Sequence, residues 1–467
     1  MFKKFLYNIP TLILLIVSIM NTYVVISLGV LTKKYLLILI AIEIILFLLG
    51  TILYNLKNNF IKIIGIIIII IAIIGNVFAF YYVNKTNKYL EKNFSQESYK
   101  IKTKYYLIGR KDNSKKKEDI TKDEKIYYYK YSQAIDKAKD KFKDNNLEET
   151  NSLYNSLISV ASDNTYLLVS QADYDYQISA ANDINKETYK VIYEFNVEEY
   201  FKINNKVSDT YNIYINGMDY SGSRRDFNMI VTVNTKTHKV VLTSIPRDYY
   251  VYVPAYDMKD TLTWLGSVDS EISKEALENL FDIKIDYTLN LYTESLVKVV
   301  DTLGGVEFCS DKEYYTTHDT TLGSYEDTGA KVHVKKGCHT YNGLEMLAIS
   351  RERVKLGDGD RGRINNDRQI VVNIIKKLSN VDTLKNYNQI LNSFDGLYTS
   401  NINKRVITDL IQNAIENPKF EIIEQSVDGL DTMALAGRGT FKAWALEPYM
   451  DTVNNASNKI KEVINEK

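Results

Sequence analysis

Residues 229–248 read MIVTVNTKTHKVVLTSIPRD. Two apolar, β-branched runs, Met229–Asn234 and Val240–Ser244, flank a polar four-residue segment, Thr235 to His238. That pattern predicts a β-hairpin. Its second strand runs into Ile245, Pro246, Arg247 and Asp248, so opposite charges stand at a strand end. Upstream, Tyr211–Asn216 reads as another short strand ending at Gly217. Downstream, Ser273–Phe281 and Thr293–Leu303 are helical, and Gly304 with Gly305 stops the second. Leu344–Ser350 starts a further helix or strand, and Gln369–Leu378 is a helix. Strands alternating with helices predict an α/β fold, a sheet-and-helix sandwich, over residues 206–385. Residues 386–467 continue the mixture as an α/β extension packed on that domain, ending in a polar helix near Pro448–Ile464.

The N-terminal part differs. Residues 1–84 hold three apolar stretches, roughly Thr11–Leu31, Tyr35–Tyr54 and Ile63–Val83. Each has about the ~20 residues a helix needs to cross a ~30 Å hydrocarbon core. A signal peptide fits poorly, because the stretches follow one another and show no small-residue cleavage site. The flanking Lys residues barely decide orientation. An odd number of spans puts the N-terminus inside and the large C-terminal part outside. Glu43 lies inside the second stretch, as a functional group or as a side chain facing the other helices. Residues 85–205 turn to Lys, Asp, Asn and Tyr and read as an accessory α/β module. In it Lys125–Lys143 is predicted as a polar helix, and Tyr166–Ser170 and Tyr189–Phe195 as strands.

Lys plus Arg equals Asp plus Glu at 58 each, which gives no reason to expect a nucleic-acid partner. Placement is more informative. Only eleven of the basic residues are Arg, and eight of these fall between Arg224 and Arg368. Arg grips phosphate with a planar fork, where Lys is a point charge. Three clusters result: Asp219 with Arg224, Arg225 and Asp226; Arg247 with Asp248; and Arg351, Glu352, Arg353, Asp360, Arg361, Arg363, Asp367 and Arg368. Interleaved Asp and Arg suit a pyrophosphate, with carboxylates holding a divalent metal and guanidinium groups taking the remaining charge. Arg351 and Arg353, two apart, would face one way in an extended segment. The competing reading is a surface network of ion pairs, worth about 0–1 kcal/mol each. The four His form no HExxH pattern, and neither a G-x-S-x-G elbow nor a Walker loop occurs. Cys309 and Cys338 either form one disulfide or are two buried thiols.

At these clusters the chain resembles the LytR-CpsA-Psr family. The matching text is Asn212 to Gly217 and Asp219, Arg224 to Asn228, Ser244 to Asp248, Val300 to Val306, Tyr341 to Leu344, and Ser350 to Gln369. Order and spacing agree over about Asp209–Ser379, and the three spans with the accessory module are similar to the capsule-type branch. The resemblance implies a membrane-anchored, Mg2+-dependent transferase. It would bind a polyprenyl-pyrophosphate glycopolymer, pass the glycosyl phosphate to a hydroxyl of peptidoglycan and release polyprenyl phosphate. Capsule or wall-polymer assembly proteins are further partners. By motif match, Asp219 and Asp226 would be metal ligands. Arg224, Arg247, Arg351, Arg353 and Arg363 would clamp the pyrophosphate, with Asp360 orienting them and Asp248 following Arg247 in the motif. An apolar pocket for the lipid is also implied, with Leu296–Leu303 either as its wall or as plain core. A hydrolase using the same site and a non-catalytic, membrane-tethered lipid-pyrophosphate receptor or regulator are the alternatives. The chain departs from the family where Asn366 and Asp367 replace the usual Arg or Gln. A negative charge there repels an anionic ligand unless it binds metal or pairs with Arg368.

Overall fold

A computed structural model of the chain describes residues 9–94, 98–130, 132, 134–180, 184–202, 208–218, 224–265, 270–320, 329–378, 398–416, 420–439 and 441–467. The chain divides into two compact units.

The first unit comprises Met1–Glu97, Asn204–Val207 and Ile402–Phe420. Its helices Ile9–Leu28, Lys33–Asn55 and Asn59–Phe94 are each long and apolar enough to cross a membrane. The third outruns its apolar stretch because residues 84–94 contain no Gly or Pro to stop it. Its 36 residues amount to about 54 Å at 1.5 Å per residue, well beyond a hydrocarbon core. The second and third helices touch closely, since a Cβ at Gly65 would stand 2.5 Å from the Tyr54 nitrogen. Polar side chains link all three. Glu43 Oε2 accepts hydrogen bonds from Ser18 Oγ at 2.6 Å and Asn76 Nδ2 at 3.0 Å, and Asn21 Nδ2 donates to Asn76 Oδ1 at 2.9 Å. Glu43 therefore faces the other helices. The helix Lys404–Glu416 also belongs to this unit: Lys404 Nζ lies 2.6 Å from Asn87 Oδ1, and Gln412 Nε2 lies 3.0 Å from the Gly29 carbonyl. This differs from the α/β extension expected for residues 386–467, because an apolar stripe on a helix is the same for either neighbour.

The second unit comprises Ser98–Ile203, Ser208–Asn401 and Glu421–Lys467. It begins with strands β1 (Ser98–Arg110), β2 (Lys125–Tyr129), β3 (Asn146–Thr150), β4 (Tyr166–Ser170) and β5 (Tyr189–Lys202). They form one mixed sheet in the order β3-β2-β4-β1-β5. All five residues of β4 are buried, as expected for a strand covered on both faces. The predicted polar helix Lys125–Lys143 is instead β2 followed by a short helix, Ile135–Lys139. Tyr127–Tyr129 carry the β-preferring rings there, and pairing with β4 wins over the helical preference of the lysines.

The remaining strands are β6 (Thr210–Met218), β7 (Arg225–Asn234), β8 (Lys239–Ser244), β9 (Tyr250–Val253), β10 (Met258–Thr261), β11 (Tyr287–Leu291), β12 (Val306–Ser310), β13 (Tyr314–Asp319), β14 (Lys331–Val334), β15 (Gly337–Tyr341), β16 (Tyr398–Ser400), β17 (Glu421–Ser426), β18 (Gly429–Ala436) and β19 (Phe441–Pro448). Six of them make the main sheet, β16-β11-β6-β7-β8-β17. The expected hairpin is β7–β8, with Met229 opposite Ser244 and Asn234 opposite Lys239. β17 completes the sheet parallel to β8, drawing residues after 420 into the same layer. The helices Ser270–Phe281 and Met450–Asn465 bring Leu277, Phe281, Val453 and Ile460 into a core with Tyr214 and Ile230. A second core joins Val299, Val300 and Leu303 to Phe308, Met346, Ile349 and Ile370. The apolar face of Leu296–Leu303 is thus core. Gly304 and Gly305, at φ +72° and +86°, end that helix.

Cys309 and Cys338 stand directly opposite each other on antiparallel β12 and β15 and form a disulfide. Closing this loop should stabilise the folded state by roughly 3–4 kcal/mol through the unfolded chain. Replacing both with Ser is expected to lower the denaturant midpoint of the purified protein accordingly. An unchanged midpoint would show that the bridge does not form.

Candidate active site

The β7–β8 pairing determines where the charges meet. Asp226 enters β7, and Arg247 and Asp248 follow the end of β8, so antiparallel pairing puts them at the same end of the sheet. The Ile245 nitrogen donating to the Asn228 carbonyl at 3.0 Å extends that register toward the site. Arg247, largely buried, reaches Asp226 Oδ1 with Nη1 at 2.6 Å and Asp248 Oδ2 with Nε at 3.0 Å. Asp248 is fixed from its other oxygen by the Thr263 hydroxyl at 2.9 Å, and Thr263 also binds the Arg247 carbonyl.

The opposite wall is the helix Asp360–Leu378. It starts nine residues before the predicted Gln369, so Asp360, Arg361 and Arg363 sit in its first turn rather than in a loop. Asp360, Arg363 and Asp367 fall three and four residues apart and share a face. Asp360 Oδ1 lies 3.1 Å from Arg363 Nε, 3.6 Å from Arg353 Nε and 3.8 Å from Arg247 Nε. Both Asp360 oxygens and the Nε atoms of Arg353 and Arg363 are buried without a hydrogen bond. Three guanidinium groups therefore meet one carboxylate at ion-pair distance, and two of them, Arg353 and Arg363, keep a buried Nε–H without a hydrogen bond.

Arg353 is held by its backbone. It does not continue an extended segment with Arg351: Arg351 closes the helix Gly343–Arg351, and Arg353 has φ −138° and ψ −43°. Between them Glu352 is fully buried, accepting from the nitrogens of Arg353 and Lys355 at 2.9 Å and from the Thr317 hydroxyl at 3.1 Å. Burial works against its charge, but these donors hold its carboxyl below the usual range. The sequence places Glu352 in the Arg-Glu-Arg cluster but gives it no role of its own, and nothing local marks Thr263.

The electrostatics are those of a crowded cationic site. Burial and the neighbouring Arg363 and Arg247 depress Arg353 to about 10. Burial opposes ionisation of Asp226, yet Arg247, Arg363 and Arg353 keep its carboxyl below the ordinary value. Burial likewise opposes the Arg247 charge, and Asp226, Asp248 and Asp360 outweigh it. Asp367 goes the other way: burial pushes it up to about 7, with Asp360 and Asp226 adding to the shift against Arg363 and Arg353. Arg368 does not neutralise it there, since its Nε pairs with Glu424 at 2.9 Å.

The other predicted residues make different contacts or lie outside the described residues. Arg224 packs over the Trp264 ring at 4.9 Å. Asp219 lies outside the described residues. Arg361 clamps Asp428 at 2.7 Å and Asp431 at 3.3 Å, and Arg225 binds Asn216. Part of the Arg enrichment is thus structural.

A LytR_cpsA_psr family profile matches residues 173–459, more than half of the chain, and the chain belongs to that family. Among curated relatives, a polyisoprenyl-teichoic acid–peptidoglycan teichoic acid transferase, TagU of Bacillus licheniformis, is 28% identical over 227 residues, 47% of this chain and 69% of its own length. Biofilm regulatory protein A of Streptococcus mutans is 26% identical over 246 residues, 49% of this chain and 57% of its own length. Among solved structures, TagV of B. subtilis superposes with a TM-score of 0.45 at 20% identity, over 55% of this chain and 98% of that one.

As pH rises through about 7, Asp367 loses its proton and adds a negative charge beside the arginines. Its raised value also means that its contribution to stability is lost as pH rises from the ordinary carboxylate range toward 7. Ionised Asp367 should therefore weaken binding of inorganic pyrophosphate at pH 8 by roughly tenfold for a charge at partly screened distance, opposing the gain from the ligand's own ionisation between pH 6 and pH 8. Asp367→Asn should match wild type at pH 6 and bind roughly tenfold more tightly than wild type at pH 8. Calorimetry at the two pH values decides the point, and a wild-type-to-variant ratio that does not change with pH would remove Asp367 as the cause.

Proposed function

We propose that the chain is a glycopolymer transferase of the bacterial cell wall. In this reading it takes a polyprenyl-pyrophosphate-linked anionic polymer, of teichoic-acid or capsular type, and attaches it to peptidoglycan. The convergence of Arg247, Arg353 and Arg363 on a buried Asp360 with unused hydrogen-bonding capacity carries the proposal. Buried polar groups without partners are unfavourable by about 1–3 kcal/mol each, and pyrophosphate oxygens would satisfy the guanidinium N–H groups. The relatives named as teichoic acid transferases support the choice of polymer class.

The acceptor hydroxyl would attack the phosphorus bonded to the glycan. A new P–O bond forms, the bond to the lipid phosphate breaks, and polyprenyl phosphate leaves. The three arginines hold the pyrophosphate and balance the charge that shifts onto the leaving phosphate. Asp248 is occupied at both oxygens by Arg247 and Thr263, so it positions Arg247. Asp360, whose oxygens accept no hydrogen bond, is better placed to take the hydroxyl proton. The donor set suits a hard cation, because Asp226 stays ionised and Mg2+ needs only one or two carboxylates besides phosphate oxygens. Asp226 would hold it, with Asp219 as the second ligand. When bound, Mg2+ supplies charge neutralisation at the pyrophosphate. The three apolar helices would anchor the chain in the membrane with its C-terminal part outside.

Two variants test this reading. Arg353→Lys keeps the charge but loses the fork, and is expected to lower kcat/KM at least about tenfold, equivalent to ~1.4 kcal/mol. An exposed ion-pair role predicts almost no change. Asp226→Ala should abolish Mg2+-dependent turnover and leave the fold intact. The measurement is polyprenyl phosphate release from labelled lipid by the full-length protein. Release that is independent of added peptidoglycan would point to hydrolysis, and wild-type rates in both variants would sink the assignment.

A further inference from the structure

A cavity of about 290 Å3 lies within the second unit, bounded by Tyr129, Asn151, Ser152, Tyr154 and Gln177 of the first sheet's module and by Arg438 of the β18–β19 turn. None of these residues belongs to the arginine site.

The turn is built rigidly. Gly437, Arg438 and Gly439 all have positive φ. Asp260 holds the backbone nitrogens of Gly437 and Arg438 at 2.9 and 2.7 Å. The Arg438 side chain then enters the accessory module. Its Nη1 lies 2.6 Å from Asp173 Oδ1, both side chains being nearly inaccessible, and its guanidinium sits 5.0 Å from the Tyr129 ring centroid. Asp173 is fixed in turn by the hydroxyls of Ser132 at 2.5 Å and Ser170 at 2.6 Å. The Arg438 charge is thus matched, and the cavity does not call for an anion.

What remains unmatched is an amide. Gln177 is 1% exposed, lines the cavity, and its Nε2 has no hydrogen-bond partner among the described residues. A buried donor left in this state is unfavourable by about 1–3 kcal/mol, so its occupant should present an acceptor oxygen. The lining also carries the Asn151 amide, the Ser152 hydroxyl and the phenol groups of Tyr129 and Tyr154, whose rings add aromatic surface. A sugar ring fits this combination, with hydroxyl oxygens for the amides and an apolar C–H face for the aromatic. The volume is at the lower edge of the roughly 300–1,000 Å3 of small-molecule sites, which suits one ring rather than a chain.

We propose that this cavity is a saccharide subsite, which binds one uncharged sugar unit of the glycopolymer away from the reacting pyrophosphate. The proposal rests on the reading of the chain as a glycopolymer transferase. It gives the accessory module a role in choosing the polymer.

The test uses the full-length protein in detergent micelles and a panel of methyl glycosides of glucose, galactose, rhamnose and N-acetylglucosamine. Binding is followed by saturation-transfer NMR and titration. At least one glycoside should bind, and Gln177→Leu should weaken it about tenfold, the effect of losing ~1.4 kcal/mol of hydrogen bonding. Tyr154→Ala, at the partly exposed rim, should weaken it as well and guards against a folding defect in the first variant. Both variants should release polyprenyl phosphate at the wild-type rate from a lipid pyrophosphate carrying a single sugar. Absence of binding for the whole panel overturns the proposal, and so does binding that neither substitution alters. If glycosides bind through Gln177 but the wild-type protein turns over no lipid substrate, the subsite stands and the transferase reading fails.

Discussion

Arg247, Arg353 and Arg363 are held against one another around Asp360, and this like-charge crowding is the constraint on which the rest of the unit depends. Guanidinium groups this close repel, and burial together with Arg363 and Arg247 lowers Arg353. The structure answers with carboxylates on three elements: Asp226 at the start of β7, Asp248 after β8, and Asp360 at the head of a helix. Asp248 is itself fixed by Thr263, and the Arg353 loop by the buried Glu352. Removing one partner of the most buried of these pairs, Asp360 with Arg363, typically costs about 3–5 kcal/mol. The site is thus part of what keeps the sheet end and the helix together. An anionic ligand would relieve the repulsion rather than create a new interaction from nothing.

The sequence made the middle of the sheet readable. The β-branched runs on either side of residues 235–238 determine the β7–β8 hairpin, and the hairpin alone brings Asp226 beside Arg247. The glycine pair after Thr302 marked a helix end that the positive φ values explain. What stayed hidden was non-local. Residues 125–129 hold a β-preferring run of Ile126 and three Tyr that the lysines of 125–143 masked, and they form a strand beside β4. The first turn of the helix Asp360–Leu378 looked like a loop because Gly357, Gly359 and Gly362 surround it. Two of these glycines sit before the helix at positive φ and one packs against Leu356. Arg361 and Arg368 could not be separated from the site arginines by spacing, since their partners Asp428 and Glu424 lie 67 and 56 residues away.

The first unit obeys a different solvent rule. Most residues of its second helix are exposed to the surroundings, which suits an apolar medium, where only polar groups need protein partners. Glu43, Ser18, Asn21 and Asn76 supply those partners for one another, so the polar cluster fixes helix rotation where apolar contacts alone would leave it loosely specified.

The helix Met450–Asn465 and β17 carry a kinetic consequence. β17 pairs with β8 across about 180 residues of chain, Glu421 opposite Lys239. The end of the last helix is fastened by Asn234 Nδ2 to the Val463 carbonyl at 2.8 Å and by Lys239 Nζ to Glu466 at 2.7 Å. The β7–β8 hairpin forms from neighbours and can appear early, but its outer edge and its cover wait for residues synthesised more than 180 positions later. Contacts of such separation slow folding and leave an unpaired strand edge open in the interval. During synthesis β8 is therefore the surface that another chain could occupy, and a ribosome stalled before Glu421 would leave that edge unpaired.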